Sequence, residues 1–257
     1  MSAEGLVASG VTVRYGGHTA VNAVSFSAPV GRITGLIGPN GAGKTTTFNA
    51  CSGLLRVNGG TIRFAGRDIT RLAPERRAQL GIGRTFQRME LFESVSVREN
   101  VALGCEGRLA GSNPLAHLRA SRQERARAAQ AADEAIALCE LERLAERPVA
   151  ELSTGQRRLV ELARAAAGGY RLLLLDEPSS GLDHGETARF GEMLRRLMQR
   201  SGGDDLGILL VEHDMTLVMA LCDHIYVLDF GSLIFDGDPA AVRNSAVVRD
   251  AYLGNVA

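Results

Sequence analysis

The stretch Gly38-Pro39-Asn40-Gly41-Ala42-Gly43-Lys44-Thr45-Thr46 decides the reading of this chain. It fits G-x-x-x-x-G-K-[ST], a phosphate-cradling loop. The flanks suit the motif. Arg32 to Ile37 before it reads as a short buried strand, and Thr45 to Leu54 after it reads as a helix. Glycines let the backbone turn tightly, so that successive N–H groups aim at one anion. The start of the helix adds unpaired donors and the positive end of a dipole. In such a loop Lys44 reaches the β- and γ-phosphates and the Thr45 hydroxyl binds Mg²⁺. Lys44 is also the only lysine in the chain; every other basic residue apart from histidine is arginine. A compact ammonium on a flexible stem fits inside a ring of N–H groups where a planar guanidinium does not.

The 257 residues allow one large α/β domain, or one domain with a sizeable insert. Lys+Arg and Asp+Glu both count 29, so the formal charge is zero, which argues against a nucleic-acid partner. Cys51, Cys105, Cys139 and Cys222 form no C-x-x-C pair and read as small hydrophobes rather than disulfides or a zinc site. No signal peptide is visible at the N-terminus, and no apolar run reaches the roughly 18 to 20 residues that span a bilayer. A soluble chain, or one held at a membrane by another protein, is expected.

Leu6–Tyr15 and Ala20–Ala28 read as strands joined by a turn at Gly16-Gly17, and Thr61–Phe64 as another strand. Pro74–Leu80 reads as a short helix, Ile82–Phe86 as a strand and Ser96–Leu103 as a helix. Gly104–Pro114 reads as a loop and Ser121–Glu146 as a helix with a solvated charged face. A helix over Arg157–Ala167 follows. Leu172 to Leu175, four leucines before Asp176-Glu177-Pro178, suits a strand buried on both faces of a parallel sheet. Glu186–Arg200 is helical by pattern and Gly207–Val211 is a second buried strand. Ile225–Asp229 and Ser232–Phe235 are closing strands, and Pro239–Asn244 and Ala246–Leu253 are terminal helices. The expectation is an α/β P-loop core with a mainly parallel sheet, an N-terminal antiparallel β portion and an inserted α-helical subdomain. Residues 1–87 and 169–257 form the core of a single domain, 1–257, and residues 88–168 the insert.

Two strand ends carry chemistry. Asp176 stands where a P-loop fold places a carboxylate for Mg²⁺. Glu177, next to it, is placed to polarise the water that attacks a γ-phosphate. His213 ends another strand and is placed to contact that phosphate. Taken singly, the Asp-Glu pair reads as surface acids capping a strand, and Gln87 and His213 read as ordinary polar positions.

In this order the pieces resemble the ATP-binding cassette (ABC) ATPases over nearly the whole chain. Leu152-Ser153-Thr154-Gly155-Gln156 resembles that family's signature sequence, with Thr154 where glycine is usual. The resemblance implies that Tyr15 stacks on adenine and that Gln87 links Mg²⁺ to a transport partner. It implies that Glu177 is the catalytic base, that His213 is the switch histidine, and that Ser180-Gly181-Leu182-Asp183 crosses a dimer interface. It further implies a head-to-tail dimer in which Ser153, Gly155 and Gln156 of one subunit bind the ATP held by Lys44 of the other. Gly83-Arg84-Thr85-Phe86-Gln87, Val211-Glu212-His213-Asp214-Met215 and Ala251-Tyr252-Leu253-Gly254 are similar to the ATP-binding subunits of bacterial branched-chain amino acid importers. Those subunits lie at the cytoplasmic face of the inner membrane. They work with two permeases, a second ATPase subunit and, indirectly, an external solute-binding protein. The alternatives are the ATPases of urea or amide importers or of lipopolysaccharide export, and, in a different class, a soluble ABC ATPase or a subunit that binds ATP without turnover.

Overall fold

A computed structural model of the protein describes residues 5–85, 90–110, 122–200 and 205–253. Strands β1 (Gly5–Tyr15) and β2 (His18–Pro29) pair as an antiparallel hairpin. With β4 (Gly59–Phe64) and β5 (Arg67–Asp68) they make a four-stranded sheet in the order β2-β1-β4-β5. The second sheet has six strands in the order β10-β9-β3-β8-β7-β6. These are β3 (Ile33–Ile37), β6 (Ile82–Arg84), β7 (Leu172–Asp176), β8 (Gly207–Val211), β9 (His224–Asp229) and β10 (Ser232–Gly237). All neighbours in it are parallel except β10, which turns back antiparallel on β9.

The alternation of β7 shows how the leucine run works. Leu172 and Leu174 join the apolar cluster that holds the antiparallel sheet and helix α1 (Lys44–Ser52). Leu173 and Leu175 join the cluster on the other face, which holds most of the helices. All five β7 residues are buried, as a strand covered on both faces must be. Helix α1 therefore lies between the two sheets, with Phe48 fully buried.

Helices α3 (Val97–Ala110), α4 (Arg122–Leu138) and α5 (Thr154–Ala167) pack on one another, and their apolar residues continue the cluster under β7 and β8. Here the structure corrects the reading of Gly104–Pro114 as a loop, because α3 runs on through Ala110. Gly104 is not a breaker. A Cβ there would stand 2.0 Å from the Arg164 carbonyl oxygen, so glycine lets α3 and α5 approach closely. Residues 111–114 lie outside the described residues. The helix expected over Ser121–Glu146 ends at Leu138. Glu140 takes φ 56°, and a single 3₁₀ turn follows at Glu142–Leu144. Pairing of Val97 N–H with Arg147 O and Val149 N–H with Val95 O then closes the base of the helical region.

The remaining helices are α2 (Pro74–Gln79), α6 (His184–Arg200), α7 (Met215–Leu221), α8 (Pro239–Asn244) and α9 (Ala246–Leu253). Among the described residues no helix is long and apolar enough to cross a membrane. The four cysteines are free thiols.

Candidate nucleotide site

Strand order builds the site. β8 lies between β3 and β7, so the carboxyl ends of these three parallel strands stand side by side. Ligands of open α/β sheets bind at such ends. The phosphate-type loop leaves β3, Asp176-Glu177 leaves β7, and Glu212-His213 leaves β8.

Close approach forces the loop's glycines. Gly38 has φ 151°, and a Cβ on it would sit 2.1 Å from Leu228 O. Gly43 has φ 92°, and its Cβ would meet Ala20 O at 2.7 Å. The loop is thus pressed against β2 and the β9–β10 turn, where Gly231 N–H donates to Ala42 O at 3.1 Å. Lys44 opens α1 and is only 5% exposed. Its Nζ donates to the carbonyls of Gly38 (2.7 Å) and Pro39 (2.9 Å). Burial pulls its pKa below the usual lysine range, and the charges of Glu177 and Asp176 oppose that pull. An open cavity of about 220 Å³ runs along the loop. Asn40, Gly41, Ala42, Gly43, Lys44, Thr45 and Thr46 line it together with Glu177 and His213. His18 and Ala20, on β2, complete it.

Glu177 has φ 48°, a left-handed conformation that a non-glycine residue adopts at a cost of roughly 1–3 kcal/mol. Its N–H is bonded to Val211 O at 2.8 Å, which holds the turn in place. In this posture Oε1 stands 2.8 Å from His213 Nε2. Glu212 fixes the other end of that contact. It is 2% exposed, and its carboxylate accepts from Ser179 N–H (2.7 Å) and His213 N–H (3.0 Å), stitching the ends of β7 and β8 together. Asp176 is 3% exposed. Burial raises its pKa, and the guanidinium of Arg84 is the main influence in the opposite direction. His18, Glu212 and Arg84 carried no assigned role in the sequence reading. They become visible only when strand order sets them beside the motif.

The other expected positions fall elsewhere. Tyr15 ends β1 and is 52% exposed, opposite His18 in the hairpin. Ser153 caps α5 in a reciprocal box: its Oγ accepts from Gln156 N–H at 3.2 Å, and its own N–H donates to Gln156 Oε1 at 3.0 Å. Gly155 is buried against the Glu186 carboxylate, where a Cβ would be 2.2 Å from Oε1. Asp183 and Glu186 form a second such exchange at the start of α6. Buried Arg158, paired with Glu161 at 3.0 Å, reaches Ser180 O and joins the two segments. Ser153, Gly155, Gln156 and Asp183 thus lie close together, but they do not line the cavity along Lys44. Gln87 lies outside the described residues.

Loop, strand ends and cavity together define a P-loop nucleotide-binding ATPase fold. The comparisons agree. The ABC transporter family profile matches residues 21–180, and a profile described as branched-chain amino acid ATP-binding cassette transporter matches residues 232–257. The high-affinity branched-chain amino acid transport ATP-binding protein BraF of Pseudomonas aeruginosa is 38% identical over 99% of both chains. LivG of Escherichia coli, a protein of the same description, is 37% identical over 99% of both. A crystal structure of an ABC transporter's ATP-binding cassette in its ADP conformation superposes with a TM-score of 0.84 at 30% identity, covering 98% of this chain and 99% of the other. The chain belongs to the ABC transporter ATP-binding family, whose members are ATPases coupled to transport.

Proposed function

We propose that this chain is the ATP-hydrolysing subunit of a bacterial importer of branched-chain amino acids. The observation that carries the substrate class is the end-to-end likeness to BraF and LivG, together with the matching carboxyl-terminal segment. Nothing in the nucleotide cavity selects an amino acid. Selectivity belongs to separate membrane permeases and an external binding protein, and the chain sits at the inner face of the membrane through those permeases.

In the proposed mechanism the N–H groups of residues 40–46 and the Lys44 ammonium take up the phosphates, and Lys44 exchanges its two carbonyl partners for phosphate oxygens. The exposed Tyr15 ring stacks on the adenine. Glu177 orients the attacking water and accepts its proton, and His213 holds that carboxylate and meets the γ-phosphate. The donors fit a hard divalent cation. The Thr45 hydroxyl and the Asp176 carboxylate are oxygen ligands, Gln87 is a third in the sequence, and the nucleotide would supply the rest of the shell. Among the described residues no group of three or more His, Cys, Asp and Glu could hold a metal by itself. Mg²⁺ bound with ATP neutralises phosphate charge.

Ser153, Gly155, Gln156 and Asp183 are assigned to the nucleotide of a second subunit, of the same or a different chain, packed head to tail. Their place away from the Lys44 cavity supports this, since they cannot act there in the same copy. The helical region, residues 88–168, carries these residues apart from Asp183, and ATP-driven closure would move it against the partner.

A tagged Glu177→Gln protein captured from gently solubilised membranes with ATP tests the reading. Recovery of two multi-span permeases and a second cassette subunit, and ATP-dependent leucine, isoleucine or valine uptake when those partners are reconstituted with the parent chain, is the expected result. Permeases of an export system would overturn the substrate class, and recovery of no membrane protein would overturn the transport role.

A further inference from the structure

Arg84 ties the P-loop helix α1 to the end of strand β7, yet it does not line the cavity. It ends β6, and its side chain is 12% exposed. Nη1 donates to Ser52 Oγ at 2.6 Å, at the last residue of α1. Nη2 donates to Asp176 Oδ2 at 3.3 Å, at the last residue of β7. The guanidinium lies over the Phe48 ring, one turn back along α1, at 4.7 Å from its centroid. A planar fork can make two directed bonds and stack at once, which an ammonium cannot. One group therefore fixes the distance between the helix that begins with Lys44 and the strand that ends at Asp176. Oδ2 is the carboxylate oxygen that Arg84 engages.

We infer that Arg84 is a positioning residue for ATP hydrolysis, which restrains Asp176 to offer a single oxygen to the nucleotide-bound cation and keeps that oxygen in register with the P-loop helix. This rests on the reading of Asp176 as a metal-holding carboxylate. A one-oxygen grip suits a small octahedral ion that keeps most of its other ligands, whereas a released carboxylate can swing or chelate through both oxygens.

The test measures three quantities on the full chain and on the Arg84→Ala, Arg84→Lys, Ser52→Ala and Asp176→Asn variants. These are ATP binding in EDTA, Mn²⁺ affinity in the presence of a non-hydrolysable ATP analogue by paramagnetic resonance, and steady-state turnover. For Arg84→Ala we expect ATP binding in EDTA within about threefold of the parent, Mn²⁺ affinity equal or tighter, and kcat at least tenfold lower with little change in KM. Arg84→Lys should not restore kcat, because one ammonium cannot span Ser52 and Asp176. Ser52→Ala, which leaves Asp176 untouched, should lower kcat severalfold. A merely structural arginine would weaken EDTA binding in step with turnover, and that result overturns the inference. If Asp176→Asn weakens Mn²⁺ binding but Arg84→Ala keeps kcat within threefold, only the inference about Arg84 fails. If Asp176→Asn leaves Mn²⁺ affinity as in the parent, the metal reading fails and the inference falls with it.

Discussion

His213 Nε2 and Glu177 Oε1 stand 2.8 Å apart, each just beyond the end of one of two neighbouring parallel strands. The contact depends on two local features: the left-handed turn at Glu177, and the Glu212 side-chain carboxylate that holds the His213 and Ser179 amides. His213→Ala should therefore lower kcat by roughly two orders of magnitude while ATP binding stays within a few-fold, since the proton transfer to Glu177 that His213 orients contributes about 10²–10⁴ to rate. Glu212→Ala, which leaves Glu177 and His213 chemically intact, should lower kcat by at least tenfold and also lower the melting temperature. Phosphate release and calorimetry check both, and unaltered turnover in Glu212→Ala would deny the stitch any role.

Glycine substitutions separate fold from function. At Gly38 an added Cβ meets backbone, the Leu228 carbonyl at 2.1 Å, which cannot move cheaply. Gly38→Ala should cost about 1–3 kcal/mol of stability and abolish ATP binding. At Gly155 the obstacle is the end of the Glu186 side chain, which can swing away. Gly155→Ala should keep stability within about 1 kcal/mol and keep ATP binding by the single subunit, but lose ATP-dependent dimerisation. Denaturation and light scattering distinguish the two.

Arg77 on α2 is 1% exposed and ends the P-loop helix from the other side. It donates to the carbonyls of Ala50 and Cys51 (2.7 Å each), Leu72 (3.0 Å) and Thr70 (3.2 Å). Charged hydrogen bonds of this kind contribute about 1.5–3 kcal/mol each, and their loss leaves buried carbonyls unpaired. Arg77→Met should destabilise the fold by about 3 kcal/mol or more in urea denaturation. Lys44→Arg, at the opposite end of the same helix, should leave stability near the parent value and remove ATP binding.

Burial pushes three thiols, Cys51, Cys139 and Cys222, from 9.0 up to about 12. The Tyr252 phenol is likewise pushed from 10.0 up to about 12 by burial. These groups keep their protons in the folded chain and lose them earlier when unfolded. Their contribution is complete below pH 9 and is lost as pH rises toward 12, at about 1.4 kcal/mol per pH unit per thiol. The urea midpoint should fall steeply between pH 9 and 11, with thiol reagents reacting slowly with the native protein over the same range. A flat midpoint would contradict this.

Much of this architecture can be read in the residues, and the parts that cannot share a cause. Leu172–Asp176 is legible because a strand covered on both faces must be apolar throughout. The loop at Gly38–Thr46 is legible because only glycines tolerate its contacts with Leu228 and Ala20. Gly104 misleads because a glycine that admits a neighbouring helix looks, in sequence, like one that breaks its own. Arg84, Glu212 and His18 stay hidden because their partners are distant in the chain: Arg84 meets Asp176 across 92 positions, and Glu212 meets Ser179 across 33. Only the adjacency of β6, β7 and β8 in the sheet brings such pairs together.

The central claim is that Glu177 drives ATP hydrolysis in a site closed by a second subunit. Its most direct test is one experiment on Glu177→Gln with Mg²⁺ and ATP, reading phosphate release and molecular mass together. The account predicts phosphate release reduced at least a hundredfold, and a shift from monomer to an ATP-loaded dimer that falls apart when ATP is removed. Phosphate release at the parent rate, or ATP bound with no change in mass even when the second cassette subunit is present, would contradict it.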